Sequence, residues 1–136
     1  MSTLLLDAGV WIAAADSDDP FHRSASSIVF DFAGQVAALD LTLHEIANVI
    51  GVRNREPHEA RYLVEVLFKR CRGALVNGNP DRVETASSIA CDKGLTAYDA
   101  AYVAAANSNG WTLVSADIAD LVSKGLAVTP DAALYP

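Results

Sequence analysis

Leu4-Leu5-Leu6-Asp7-Ala8-Gly9-Val10-Trp11-Ile12-Ala13-Ala14-Ala15 is the stretch that decides the fold. The apolar run Thr3 to Leu6 is too short for a helix and has no polar face, which predicts a strand buried on both sides. Asp7 ends that run. Ala8 to Ala15 is Ala-rich and apolar, which predicts a short helix that Ser17-Asp18-Asp19-Pro20 terminates. A strand handing over to a helix through an acidic residue recurs later in the chain.

Phe21 to Phe32 carries apolar residues at Phe21, Ala25, Ile28, Val29 and Phe32, a helical spacing stopped by Gly34. Gln35 to Leu39 is a second strand. Ile46, Ala47, Val49 and Ile50 define a helix from His44 to about Val52, broken by Arg53-Asn54-Arg55-Glu56-Pro57. Glu59 to Cys71 is helical again. Ala74 to Val76 forms a short strand before the turn Asn77-Gly78-Asn79-Pro80. Asp81 to Lys93 is a helix that Gly94 stops, and Asp99 to Ser108 is an Ala-rich helix closed by Asn109-Gly110. Trp111 to Val114 is a strand, Ile118 to Lys124 a last short helix, and Leu126 to Val128 an edge strand. Strands alternating with helices predict an α/β domain with a mainly parallel central sheet and helices on both faces. No internal repeat or linker divides residues 1–136, so a single domain is expected.

Four acids share one kind of position. Asp7, Glu45, Asp99 and Asp117 follow apolar or turn segments in LLLD, LTLHE, LTAYD and TLVSAD. The carboxyl ends of strands in an open parallel sheet form the crevice where ligands bind. Four carboxylates converging there repel one another, and a hard divalent cation, Mg2+ or Mn2+, relieves that repulsion through oxygen ligands. Such a cation serves phosphoryl chemistry. Each acid also has a local explanation as a helix-capping residue. Thr42 to Glu45 and Thr96 to Asp99 fit capping boxes, Ser115 can cap the last helix with Asp117 in its first turn, and Asp7 can be a plain N-cap. Capping and cation binding are compatible, because a helix N-terminus holds a carboxylate rigidly.

These residues resemble a known family. LLLDAGVWIAAA, LTLHEIANVI, GLTAYDAAYVAAA and TLVSAD look like the four acidic motifs of the PIN domain, in order and spacing similar to the VapC-type toxins of toxin–antitoxin pairs. The resemblance implies a three-layer PIN-like fold and a Mg2+- or Mn2+-dependent ribonuclease, restrained by a cognate antitoxin and commonly a homodimer. Asp7, Glu45, Asp99 and Asp117 would be the acidic quartet. Ser115 matches the small hydroxyl residue before the fourth acid, and Asp120 is an extra acid near the site. The first motif departs from the pattern: Ala8 and Gly9 stand where the family usually has a hydroxyl and then an amide or hydroxyl residue.

Composition sets further bounds. Ten basic and 17 acidic residues give a formal charge of −7, which does not favour nucleic acid, since phosphate contacts need Lys and Arg. The acidic quartet accounts for four of those charges. Arg53, Arg55, Arg61, Lys69, Arg70 and Arg72 gather six of the ten positive charges, either as an RNA-guiding stripe led by Arg53 and Arg55 or as a solvated helix face. His22, His44 and His58 share no spacing that forms a metal-free acid–base site. Cys71 and Cys91 form no CxxC pair and read as buried or partly buried thiols of a reducing compartment. The acidic N-terminus does not resemble a secretory signal, and no apolar run of about 20 residues spans a membrane, so the cytoplasm is expected. The competing reading is a non-catalytic or regulatory module of receiver-like architecture. A receiver needs paired acids after its first strand and a late strand-end Lys, neither of which is present. Apolar residues Phe21, Phe32, Ile46, Val49, Ile50, Leu63, Val66, Leu67 and Phe68 exceed what one small core needs, which predicts a groove for an amphipathic inhibitor segment between helices 44–52 and 59–71.

Overall fold

The computed structural model describes residues 2–136. Strand β1 (Leu4–Leu6) passes through Asp7 into α1 (Ala8–Ala15), followed by α2 (His22–Asp31) and β2 (Val36–Leu39). Helix α3 (Leu41–Ile46) runs on into a π-helical turn (Ala47–Arg53), then α4 (Pro57–Arg70) and β3 (Leu75–Val76). The second half holds α5 (Pro80–Lys93), α6 (Ala97–Asn109), β4 (Thr112–Val114), a second π-helical turn (Ile118–Val122) and α7 (Pro130–Leu134).

The four strands pair in the order β3-β2-β1-β4, every pair parallel. Alternation along β1 assigns the two faces. Leu4 and Leu6, with Val36, Ala38 and Val114, pack under α1 to α4. Leu5, with Ala37, Leu39 and Leu113, packs under α6. Helix α5 lies on α6 and shares Ala86, Ala100 and Ala104 with it. Helices thus cover both faces of a parallel sheet, the three-layer α/β arrangement, and strands buried on both sides need the unbroken apolar runs seen in the sequence. The order also contains a switch. The chain steps outward from β1 to β2 to β3, then returns to lay β4 on the other side of β1. The switch falls at the carboxyl ends of β1 and β4, the position at which such sheets bind ligands.

Several boundaries differ from the sequence reading. Helix α3 begins at Leu41, three residues early, because Asp40 already takes the position before the helix with helical backbone angles. The edge strand expected at 126–128 reduces to a single bridge between Val128 and Val114, and the helix expected at 118–124 is the second π-helical turn. Helix α7 was not foreseen. Thr129 caps it through a bond from the Ala132 amide. Gly94 and Gly110 end α5 and α6 with φ of 67° and 68°, a left-handed conformation that costs glycine little. Cys71 is buried, with its thiol pushed up to about 12 by that burial, whereas Cys91 is exposed rather than buried. Among the described residues no helix is long and apolar enough to cross a membrane.

Candidate metal centre

Asp7 sits at the end of β1, and its amide donates to the Val114 carbonyl of β4 at 3.2 Å. Its carboxylate caps α1: Oδ1 accepts the Val10 amide at 3.2 Å. Its Oδ2 accepts the Ser115 hydroxyl at 2.5 Å. Ser115 is fully buried and its Oγ in turn accepts the Asp117 amide at 2.9 Å. One hydroxyl therefore joins the ends of β1 and β4. Ser115 does not cap the following turn. Asp117 does, taking the Asp120 amide on Oδ1 at 3.0 Å, which places Asp120 one turn on and on the same side.

Thr96 caps α6 as the sequence suggests, accepting the Asp99 amide at 3.1 Å. The box expected at Thr42 to Glu45 does not form. Thr42 lies inside α3, fully buried, with its hydroxyl 2.6 Å from that of Tyr102 on α6. Tyr102 donates to Glu45 Oε1 at 3.3 Å. Glu45 is therefore held by another helix and not by its own N-terminus.

The four acids come together. Burial raises the Asp7 carboxyl to about 6. The Ser115 and Val10 bonds oppose the shift, and the charges of Glu45 and Asp99 add to it. Glu45 is also raised, by burial first and then by Asp99, against the Tyr102 bond. Asp99 is raised by burial and by the charges of Asp117 and Asp120, with Thr96 and Lys124 acting the other way. Mutual repulsion links Asp7 to Glu45, Glu45 to Asp99, and Asp99 to Asp117 and Asp120. Oxygen atoms of Asp99, Asp117 and Asp120 all lie within 4.8 Å of one another. An all-oxygen donor set of crowded, partly desolvated carboxylates fits a hard divalent cation. Asp120, which the sequence favours as a solvated helix residue, instead joins Asp99 and Asp117 in one cluster. Its spacing of three from Asp117 was the available signal.

Gly9 lies on the exposed rim of this pocket. A Cβ placed there would sit 3.5 Å from Asp7 Oδ1 and 4.0 Å from the Ala116 Cβ, ordinary contact distances. Packing does not require glycine at this position. The basic residues separate. Arg53 closes the π-helical turn that follows α3 and Arg55 lies in the loop after it; both are exposed, Arg55 at a positive φ of 56°. Arg61 pairs with Glu65 at 2.9 Å on an exposed face. Arg70 is structural: its guanidinium donates to the carbonyls of Val29 and Phe32 at 2.7 and 2.5 Å and of Gly34 at 3.2 Å. The cation whose field reaches Asp99 is Lys124, which also donates to the Lys93 carbonyl at 3.1 Å; the sequence reading passed over it.

Residues 4–120 match the sequence profile of the PIN domain. Ribonuclease VapC3 of Pyrobaculum aerophilum is 32% identical over 89 residues, 62% of this chain and 68% of that protein. The crystal structure of PAE2754, also from Pyrobaculum aerophilum, superposes with a TM-score of 0.73 at 25% identity, covering 98% of this chain and 95% of its own. Mycobacterium tuberculosis VapC20, described as a sarcin-ricin loop cleaving toxin, superposes at 0.69 with 16% identity, over 82% and 86% of the two chains.

Proposed function

This chain belongs to the PIN domain family, and on that footing we propose that it is a Mg2+- or Mn2+-dependent endoribonuclease, the toxin of a toxin–antitoxin pair acting in the cytoplasm. The observation that carries the reading is the gathering of Asp7, Glu45, Asp99 and Asp117 at the switch between β1 and β4, with Asp120 beside them. Asp99, Asp117 and Asp120 would hold the cation, with Asp7 and Glu45 on its buried side. When bound, the cation supplies Lewis acidity toward the scissile phosphodiester and its attacking water. The protein's own share is orientation and charge. Ser115 fixes the Asp7 carboxylate from below and leaves further lone pairs on both oxygens. Crowded carboxylates with raised proton affinity favour an incoming cation because it removes their repulsion. We assign Arg53 and Arg55 to the phosphates of RNA beyond the cleavage point.

Incubating the purified chain with total RNA, with and without EDTA, tests the reading. Cleavage with Mn2+ that EDTA abolishes and Asp99→Asn removes supports it. RNA left intact at tens of millimolar metal rejects the nuclease in favour of a non-catalytic PIN module.

Two surfaces suit the partners. A groove of about 530 Å³ is lined by Ile12, Phe30, Val49, Tyr62, Leu63 and Val66 among others. Phe30 and Tyr62 there are 59% and 61% exposed, although Ile46, Ile50, Leu63 and Leu67 of the expected surplus are spent in the core. It lies where helices 44–52 and 59–71 meet, and it suits an amphipathic segment of the antitoxin. A basic residue of that segment would compete with the cation at the acids. The second, about 550 Å³ between α5, α6 and the end of β3, includes Val76, Val83, Tyr98 and Ala101 and suits a second copy of the chain. Val83→Glu yielding a monomer by sedimentation, with the wild type dimeric, is the expected result.

A further inference from the structure

We propose that the buried hydroxyls of Thr42 and Tyr102 form a positioning relay that sets the Glu45 carboxylate against the cation site, an inference resting on the metal-centre reading above. Thr42 is fully buried and Tyr102 is 2% exposed. Their oxygens are 2.6 Å apart, and Tyr102 reaches Glu45 Oε1 at 3.3 Å. Phenylalanine would fill the same apolar space under α6, so packing accounts for the ring and leaves the hydroxyl to be explained. A buried hydroxyl must find partners. Here it finds them on the helix that carries Glu45 and close to the Ala8 amide, next in sequence to Asp7.

The spacing gives the relay its place. Thr42 precedes Glu45 by three residues on α3, and Tyr102 follows Asp99 by three on α6. Each lies one turn from an acid of the pocket on the same helix face. The hydroxyl pair therefore bolts α3 to α6 directly behind the two carboxylates that repel each other. It also has a direction. An ionised carboxylate only accepts, so the Tyr102 proton is committed to Glu45, and Thr42 must then donate to Tyr102. The chain Thr42 to Tyr102 to Glu45 holds one carboxylate oxygen, and no other protein donor meets Glu45 among the described residues. A long, repelled side chain would otherwise lose its place by rotating toward water. Groups that orient a ligand in this way typically change metal affinity by about 10–100-fold when removed.

The test is Mn2+ affinity by calorimetry on the full chain, together with the Mn2+ dependence of RNA cleavage, for wild type, Tyr102→Phe, Thr42→Val and Thr42→Ser. Tyr102→Phe is expected to weaken Mn2+ binding about tenfold or more, with cleavage shifted to correspondingly higher metal. Thr42→Val should weaken binding, and Thr42→Ser, which keeps the hydroxyl, should restore it. Affinity of Tyr102→Phe within about twofold of wild type overturns the relay and leaves the metal centre standing, because so small a change is below the cost of a lost orienting group. Equal losses in Thr42→Val and Thr42→Ser also overturn it, since methyl packing would then be the cause. If Tyr102→Phe does not fold, the Thr42 pair alone decides. A wild-type chain that binds no Mn2+ overturns the metal centre and the relay together.

Discussion

Asp7 ends β1 and Asp40 ends β2, and each is followed at once by a helix. Asp7 is buried, caps α1 with its side chain and accepts a hydrogen bond from the Ser115 hydroxyl. Asp40 precedes α3 with no side-chain capping bond, and its Oδ2 accepts the Gly78 amide at 2.9 Å. The local sequence is alike; the neighbours are not. Beside β1 lies β4, which delivers Ser115 and Asp117. Beside β2 lies β3, which delivers the turn Asn77-Gly78. A strand-ending acid becomes part of a charged pocket when an adjacent strand brings others to it, so strand order and not the motif selects the site.

Substitution separates the two most sharply. Asp7→Asn is expected to reduce RNA cleavage by about 10²–10³-fold or more, as for loss of a central electrostatic group. Asp40→Asn should leave the single-turnover rate near wild type. Equal losses would break the distinction. Metal comes next. Saturation at 100 times Kd should stabilise wild type and Asp40→Asn by about 2.7 kcal/mol in chemical denaturation, with Asp7→Asn responding less at the same concentration.

A smaller effect appears in metal-free buffer. Asp7 binds its proton more tightly folded, at about 6 against 3.8, so protonation favours the folded state. Stability should therefore rise as pH falls from 7.5 to 5, with Asp7 contributing on the order of 1 kcal/mol. Asp7→Asn removes the Asp7 share of this rise, leaving the part from Glu45 and Asp99, whereas Asp40→Asn retains all of it, a difference that urea titrations at both pH values would resolve. Smallest is the structural cost of Asp40→Ala, about 0.5–1.5 kcal/mol for the bond to Gly78, seen as a shifted denaturation midpoint with unchanged cleavage.

Much of the acidic cluster was readable because capping positions and the positions where the acids gather coincide. TLVSAD and LTAYD announce a helix start, and Asp99 and Asp117 stand where it puts them. The α/β sheet with helices on both faces followed from short apolar runs such as Leu4 to Leu6 alternating with helical segments. Thr42 misled because its hydroxyl had two uses, a local cap or a distant tyrosine, and the second depends on α6 packing across the sheet. Tyr102 carries no local signal of its own within an Ala-rich helix. The order β3-β2-β1-β4 leaves no local trace: the motif around Asp7 singled it out over Asp40, but the physical reason, β4 lying beside β1, shows only in the fold. Surplus apolar residues were overcounted for the same reason: Ile46 and Leu67 reach the core only once α3 and α4 lie over β1 and β2.

Arg70 has a consequence for association. Its guanidinium gathers carbonyls from the last turn of α2 and the loop beyond, where α2 leaves its own acceptors unpaired. The groove holding Phe30 of α2 and Tyr62 of α4 thus has two walls riveted to each other before any visitor arrives. A segment docking there meets a rigid mould and spends little of its binding free energy on freezing the host. Arg70→Ala would loosen that mould without touching the contact surface, and the loss would appear as faster dissociation of the partner.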